Sequence, residues 1–312
     1  APPPELDARV DDAGLPPEDA GSASGWRSEA PLPVAWQEIA AAVRGDEIWV
    51  VGGFEGFSQV DAVRVYDLAT GAWRDGPSLP SERHHLMVAV VGDDLYALGG
   101  ETGLSFTPVD TAWVLREGAT AWEDIAPLPE ARGAGVAAVV DGRIVLAGGV
   151  GDGNALVGPV DFYDPATGTW STTRGAAIPT RREHTAGFAH GGRVWIVGGR
   201  NLSLSTNMDV VEVYDVASDT WTTGPSLALA RGGFGIGLIG DRAYAVGGEQ
   251  PDRALDEVEV LDLAAMTWSA APSVPTPRHG HAVVGAAGRV WVVGGADRPI
   301  FAPVTAVESY AP

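Results

Sequence analysis

Five of the six histidines, His84, His85, His184, His279 and His281, fall in one recurring window of the sequence. Each lies one to three residues after a position that carries arginine in five places out of six: Trp36, Arg83, Arg132, Arg182, Arg231 and Arg278. Glu38 shares that window, and eighteen residues after the shared position stand Phe54, Glu101, Val150, Arg200, Glu249 and Ala296. Imidazoles and carboxylates that titrate near neutrality can pass a proton on and off a hydroxyl or a ring oxygen. His184, His85 and Glu101 are the candidates for such acid–base work. Arg200, Glu38, Glu249, His84, His279 and His281 are the candidates for gripping a polar or anionic ligand. A third reading, hydrogen-bonded histidines lining a channel, stays open beside these two. Two or three histidines could also hold a metal, but their spacing gives no ligand signature, so no metal site and no cofactor is assigned.

The elements that must position these residues are set by a repeat. A Gly-Gly pair ends a hydrophobic run six times, at Gly52-Gly53, Gly99-Gly100, Gly148-Gly149, Gly198-Gly199, Gly247-Gly248 and Gly294-Gly295. A tryptophan recurs in the same frame: Trp26, Trp73, Trp122, Trp170, Trp221 and Trp268. Between them a strand ends in Tyr-Asp or a variant, six residues before its tryptophan, as at Tyr66-Asp67 and Tyr214-Asp215. Turn-formers fill the gap, as in DLATGAW, and read as hairpins. The runs are short and β-branched with no sustained 3.6-residue period, so each unit reads as four antiparallel strands. The longest stretches after Gly-Gly, 101–110, 150–161 and 200–209, read as loops on one face.

Double glycine, Tyr-Asp step and spaced tryptophan together resemble the Kelch repeat over residues 25–312. The resemblance implies an all-β, six-bladed β-propeller. It also implies that the shared arginines tie adjacent blades together. The last unit stops one strand short at Tyr310-Ala311-Pro312, while Trp26 precedes any Gly-Gly. The N-terminal strand should therefore complete the last blade and remove a free edge. No Trp-Asp ends a strand and no complete Asp-box occurs, which disfavours WD-repeat propellers and sialidases. Galactose oxidase also carries Kelch repeats, but its Cys–Tyr crosslink has no counterpart in a chain with no cysteine.

Composition narrows the partners. With 20 basic and 41 acidic residues the net charge is −21, which repels phosphate backbones and anionic headgroups. Nucleic acid is therefore not expected, and no apolar run reaches the ~20 residues of a membrane span. Residues 1–24 form an acidic, Pro/Ala-rich stretch that cannot offset its ordering entropy by burial. They are expected to be a linker left after a removed export signal, compatible with a lipid anchor before residue 1. The reading is an exported monomer, periplasmic, cell-surface or secreted, that binds a small molecule or glycan, or a protein or peptide, on one propeller face. The chain is also similar, in blade count and expected compartment, to bacterial N-acetylneuraminate mutarotases. That resemblance implies a carbohydrate isomerase as the alternative, with acid–base chemistry at the channel mouth.

Overall fold

A computed structural model describes residues 25–171 and 173–312. The expected linker, residues 1–24, lies outside the described residues. Six four-stranded antiparallel sheets follow one another round a central axis. Blade 1 runs from inner to outer strand through Ala40–Arg44, Glu47–Val51, Val63–Asp67 and Trp73–Asp75. The inner strands of blades 2 to 6 are Met87–Val91, Val136–Val140, Ala186–His190, Gly235–Ile239 and Ala282–Ala286. Blade 6 takes its outer strand from the other end of the chain. Gly25–Ser28 pairs with Val307–Ala311, setting Trp26 opposite Tyr310. The propeller is thus closed by the N-terminal strand. Among the described residues no helix is long and apolar enough to cross a membrane.

Six inner strands crowding one axis need small side chains, which accounts for their Ala- and Gly-rich sequences. A Cβ on Gly235, for example, would lie 2.5 Å from the Val283 side chain of the next blade. Between blades the buried apolar residues form successive cores, such as Trp49, Val63, Leu86 and Trp113 between blades 1 and 2. At the outer edge, every repeated tryptophan donates its indole N–H to a carbonyl of the preceding blade. The acceptors are Ala30, Pro77, Ala126, Ala176 and Pro225 for Trp73, Trp122, Trp170, Trp221 and Trp268, at 2.8–3.0 Å. Trp26 closes the ring on Pro272 at 2.8 Å.

Near the axis the junction is made of backbone. The second glycine of each pair donates its N–H to the carbonyl of the shared position in the next blade: Gly53 to Arg83, Gly100 to Arg132, Gly149 to Arg182, Gly199 to Arg231, Gly248 to Arg278, and Gly295 to Trp36. The first glycine approaches the same carbonyl so closely that a Cβ on Gly52 would sit 2.5 Å from the Arg83 oxygen. Both glycines have positive φ, 63° and 105° in blade 1, where a side chain is strained.

The arginine side chains do something other than the resemblance implies. They stay in their own blade, where the partner is the third strand. Arg132 bonds Asp161 at 2.5 Å, Arg231 bonds Glu259 at 2.7 Å, and Arg182 and Arg278 pair with Glu212 and Glu308. In blade 2 Arg83 bonds Thr111 at 2.6 Å and lies over the Trp113 ring. Blade 1 inverts that pair: Trp36 takes the arginine's place and Arg64 of the third strand lies over its ring. Inter-blade adhesion therefore comes from the arginine's carbonyl and intra-blade adhesion from its guanidinium.

Closure by equivalent latches makes a quantitative expectation. Trp26 and Trp73 are both half-buried with matching indole bonds. Trp26→Ala and Trp73→Ala should each cost roughly 2 kcal/mol, below the 3–5 typical of a fully buried tryptophan. Urea denaturation checks this; a Trp26→Ala protein as stable as wild type beside a weakened Trp73→Ala protein would contradict the closure.

Candidate functional site

Two residues beyond the shared position, each blade turns its chain through the left-handed region. The residues are Glu38, His85, Ala134, His184, Gly233 and Gly280, with φ between 48° and 63°. This turn aims one residue per blade at the axis. Five successive backbone hydrogen bonds tie the turns into an arc: Ala134 to His85, His85 to Glu38, Glu38 to Gly280, Gly280 to Gly233, and Gly233 to His184, at 2.6–3.4 Å. Two members lack side chains, and their neighbours use the space. A Cβ on Gly280 would fall 2.5 Å from Glu38 Oε1.

The remaining side chains meet. His85 Nε2 lies 3.0 Å from Glu38 Oε2 and 3.0 Å from His184 Nε2. Behind His85, His84 Nδ1 is 2.6 Å from His85 Nδ1, and His84 Nε2 is 3.0 Å from the Gly103 carbonyl. That carbonyl needs an N–H, so the His84 lone pair is on Nδ1 and His85 must carry a proton on Nδ1. His184 Nδ1 lies against Glu183 Oε2 but makes no hydrogen bond among the described residues.

Blade by blade, the residue after each Gly-Gly bridges the residue after the shared position: His84 with Glu101, Glu183 with Arg200, Gly232 with Glu249, and His279 with Ala296. These pairs form the wall around the ring. Arg200 spans two carboxylates, Glu183 at 3.1 Å and Glu249 at 2.6 Å. Glu101 lies over Gly133, where a Cβ would be 2.5 Å from its Cγ. Its Oε2 is buried with no hydrogen-bond partner among the described residues, as is His279 Nδ1. The latter stands 3.5 and 3.6 Å from Glu249 and Glu38.

Charge follows from this packing. Burial opposes ionisation of Glu38, but the His85 and His279 imidazoles hold it well below the usual carboxylate range. Burial likewise pushes His85 down, and the Glu38 and Glu101 carboxylates more than reverse that, so it rises. His279 rises against burial through Glu38 and Glu249. Burial, aided by Arg200 and His85, holds His184 well below the ordinary histidine value. Glu101 is raised by burial against the pull of His85.

The sequence-derived candidates thus divide. His85, His184, Glu38, Glu101, Arg200, Glu249 and His279 line two adjoining cavities of about 240 and 180 Å³ at the channel mouth. His84 is fully buried behind His85, and burial, with the neighbouring His85, takes its pKa down to about 3. His281 lies below the ring, bonded to the Val246 carbonyl of blade 5, and burial takes it to about 3 as well. Neither side chain lines the two mouth cavities. Blade 3 contributes Val150 to the wall and Ala134 to the ring, so the polar side is lopsided as the residue types imply.

Residues that sequence reasoning missed supply the apolar lining. Phe106 and Leu204 border both cavities, with Phe301 and Ile300 on one side and Leu202 on the other. Three of these, Phe106, Leu202 and Ile300, have φ of 53°, 60° and 73°, a conformation that bulky residues avoid. Exposed Phe57, Leu104, Leu202 and Ile300 crown the same loops. The only sequence signal for them is the length of the loops that follow Gly-Gly.

Comparison with known proteins is consistent with this architecture. The family model of the Attractin/LZTR1 beta-propeller matches residues 48–301. "Kelch-like protein terF" of Aspergillus terreus is 29% identical over 71% of this chain and 55% of its own length. "Beta-scruin" of Limulus polyphemus is 29% identical over 45% of this chain and 16% of its own. The chain therefore spans about half the length, or less, of the curated relatives it matches. The solved structure of YjhT superposes with a TM-score of 0.78, covering 89% of this chain and 95% of that one at 14% identity, a likeness of fold.

The ring's backbone carries its own test. Ala134 holds φ 53°, and glycine fills the equivalent place in blades 5 and 6. Ala134→Gly should stabilise the fold by about 0.5–1 kcal/mol, since left-handed strain of roughly 1–2 kcal/mol outweighs glycine's entropy. A fall in stability on thermal denaturation would show that the turn is not strained.

Proposed function

The chain belongs to the Attractin/LZTR1 beta-propeller family, and from that premise we propose that it is an exported ligand-binding module that seats a glycan or peptide segment at the channel mouth. The observation that carries this reading is the buried Glu101 Oε2, which has no hydrogen-bond partner among the described residues and stands 3.7 Å from His85 Nδ1, at the wall of a cavity rimmed by apolar residues. A buried polar atom without a partner costs about 1–3 kcal/mol, and a ligand hydroxyl or ammonium placed there recovers that cost. Strained Phe106 and Leu202 support the same reading, because strain of this kind concentrates at ligand sites. Apolar faces beside convergent polar groups are the usual make-up of a small-ligand pocket.

The chemistry of the ligand follows from the charges. Arg200 is engaged by Glu183 and Glu249, so it is not poised to receive an anion. Four carboxylates, Glu38, Glu101, Glu183 and Glu249, face the cavities. A neutral polyhydroxyl ligand or a cationic side chain suits this wall better than a sugar acid. The isomerase alternative, which needs a cation for the substrate carboxylate, is correspondingly less well supported. Export rests on the acidic, Pro/Ala-rich character of residues 1–24.

A thermal-shift screen over neutral oligosaccharides, sugar acids and lysine- or arginine-bearing peptides tests the reading. A neutral or cationic ligand at 100 times its Kd should add about 2.7 kcal/mol of stability. Phe106→Ala should abolish that shift while leaving the unliganded melting temperature within a few degrees of wild type. A stabilising sugar acid, or binding indifferent to Phe106→Ala, would contradict the assignment.

A further inference from the structure

We propose that Glu38, His85 and His184 form a binding site for a divalent first-row transition-metal ion on the propeller axis. The three donors come from blades 1, 2 and 4 and converge through the left-handed turns described above. Glu38 Oε2, His85 Nε2 and His184 Nε2 all lie within 4.8 Å of one another. Two of the separations are 3.0 Å, the edge of a coordination octahedron with bonds of about 2.1 Å.

The tautomers point the same way. The Gly103 carbonyl fixes His84, and His84 in turn requires the His85 proton on Nδ1. His184 Nε2 faces His85 Nε2 at 3.0 Å. Neutral His85 therefore directs its Nε2 lone pair toward His184 Nε2 and the Glu38 carboxylate. Three donor atoms facing one another repel unless a proton or a cation sits between them. Arrangements of this kind, with a ligating imidazole held from behind by a carboxylate or by a further hydrogen-bonded group, are those of metal sites. His84 with Gly103 plays that part for His85.

Charge and space agree with a cation. Arg200, the nearest guanidinium, is held by Glu183 and Glu249. The three donors border both the mouth cavity and the channel cavity below it, so positions remain for water or an outside ligand. Two imidazoles and one carboxylate select first-row transition ions over Ca²⁺ and Mg²⁺, which take oxygen donors. The inference stands apart from the glycan or peptide reading, since the ion is tested alone.

The experiment is calorimetric titration of the EDTA-stripped, full-length chain with Zn²⁺, and with Co²⁺ followed by its visible absorption. One equivalent should bind, with Ca²⁺ giving no heat at the same concentrations. His85→Gly and His184→Gly should each weaken Zn²⁺ binding at least 100-fold; glycine is chosen because it occupies the equivalent turn in blades 5 and 6, so these variants keep the fold. His190→Ala, at the opposite end of blade 4's inner strand from the site, should leave it unchanged. No Zn²⁺ uptake, uptake retained by His184→Gly, equal uptake of Ca²⁺, or loss in His190→Ala would overturn the site.

Discussion

Everything at the centre of this molecule depends on one contact: the second glycine of each Gly-Gly pair donating its N–H to the carbonyl of the next blade's shared position. The contact holds only if the first glycine can pass that carbonyl without a side chain, and only if both adopt positive φ. Repeated six times, from Gly53 on Arg83 to Gly295 on Trp36, it fixes the angle between neighbouring sheets near the axis. The tryptophan latches fix the same angle at the rim. With both radii set, the number of blades and the position of each inner strand are determined, and the N-terminal strand has one place to go.

That uniform frame is what lets a single position vary. Immediately after the shared residue the chain must turn toward the axis, and the turn is left-handed in every blade whatever the residue. Where function asks nothing, glycine takes it, as at Gly233 and Gly280. Glu38, His85 and His184 occupy it against their conformational preference, and their side chains are the ones that meet. The blades that carry glycine leave the room that Glu38 and its neighbours fill. Strain and side-chain bulk are thus distributed unevenly round a symmetrical scaffold, and the candidate site lies at that asymmetry.

The fold was legible because the repeat is itself a structural period: Gly-Gly, Tyr-Asp and Trp each answer to one backbone requirement, and even the closure by Trp26 follows from a unit that stops one strand short. The approximate location of the site was legible too, since histidines confined to one repeat position must share one level of the propeller. Direction and partnership were not. The sequence does not say that Arg231 turns to Glu259 in its own blade instead of across the junction. It does not say that Arg200 is engaged by two carboxylates, or that His84 and His281 face away from the mouth while their neighbours face in. Phe106 was invisible because its loop shares no register with the other blades. The meeting of Glu38, His85 and His184 was hidden for a different reason: donors in separate blades have no short spacing to recognise, and only the ring brings them together.

The claim at the centre of this account is that the six turns converge on a common donor set at the axis. Anomalous diffraction from crystals grown with Co²⁺ measures it most directly. The account predicts one dominant anomalous peak on the axis, bonded to Glu38 Oε2, His85 Nε2 and His184 Nε2. Dominant peaks confined to the acidic surface, with the axial position empty, would contradict it.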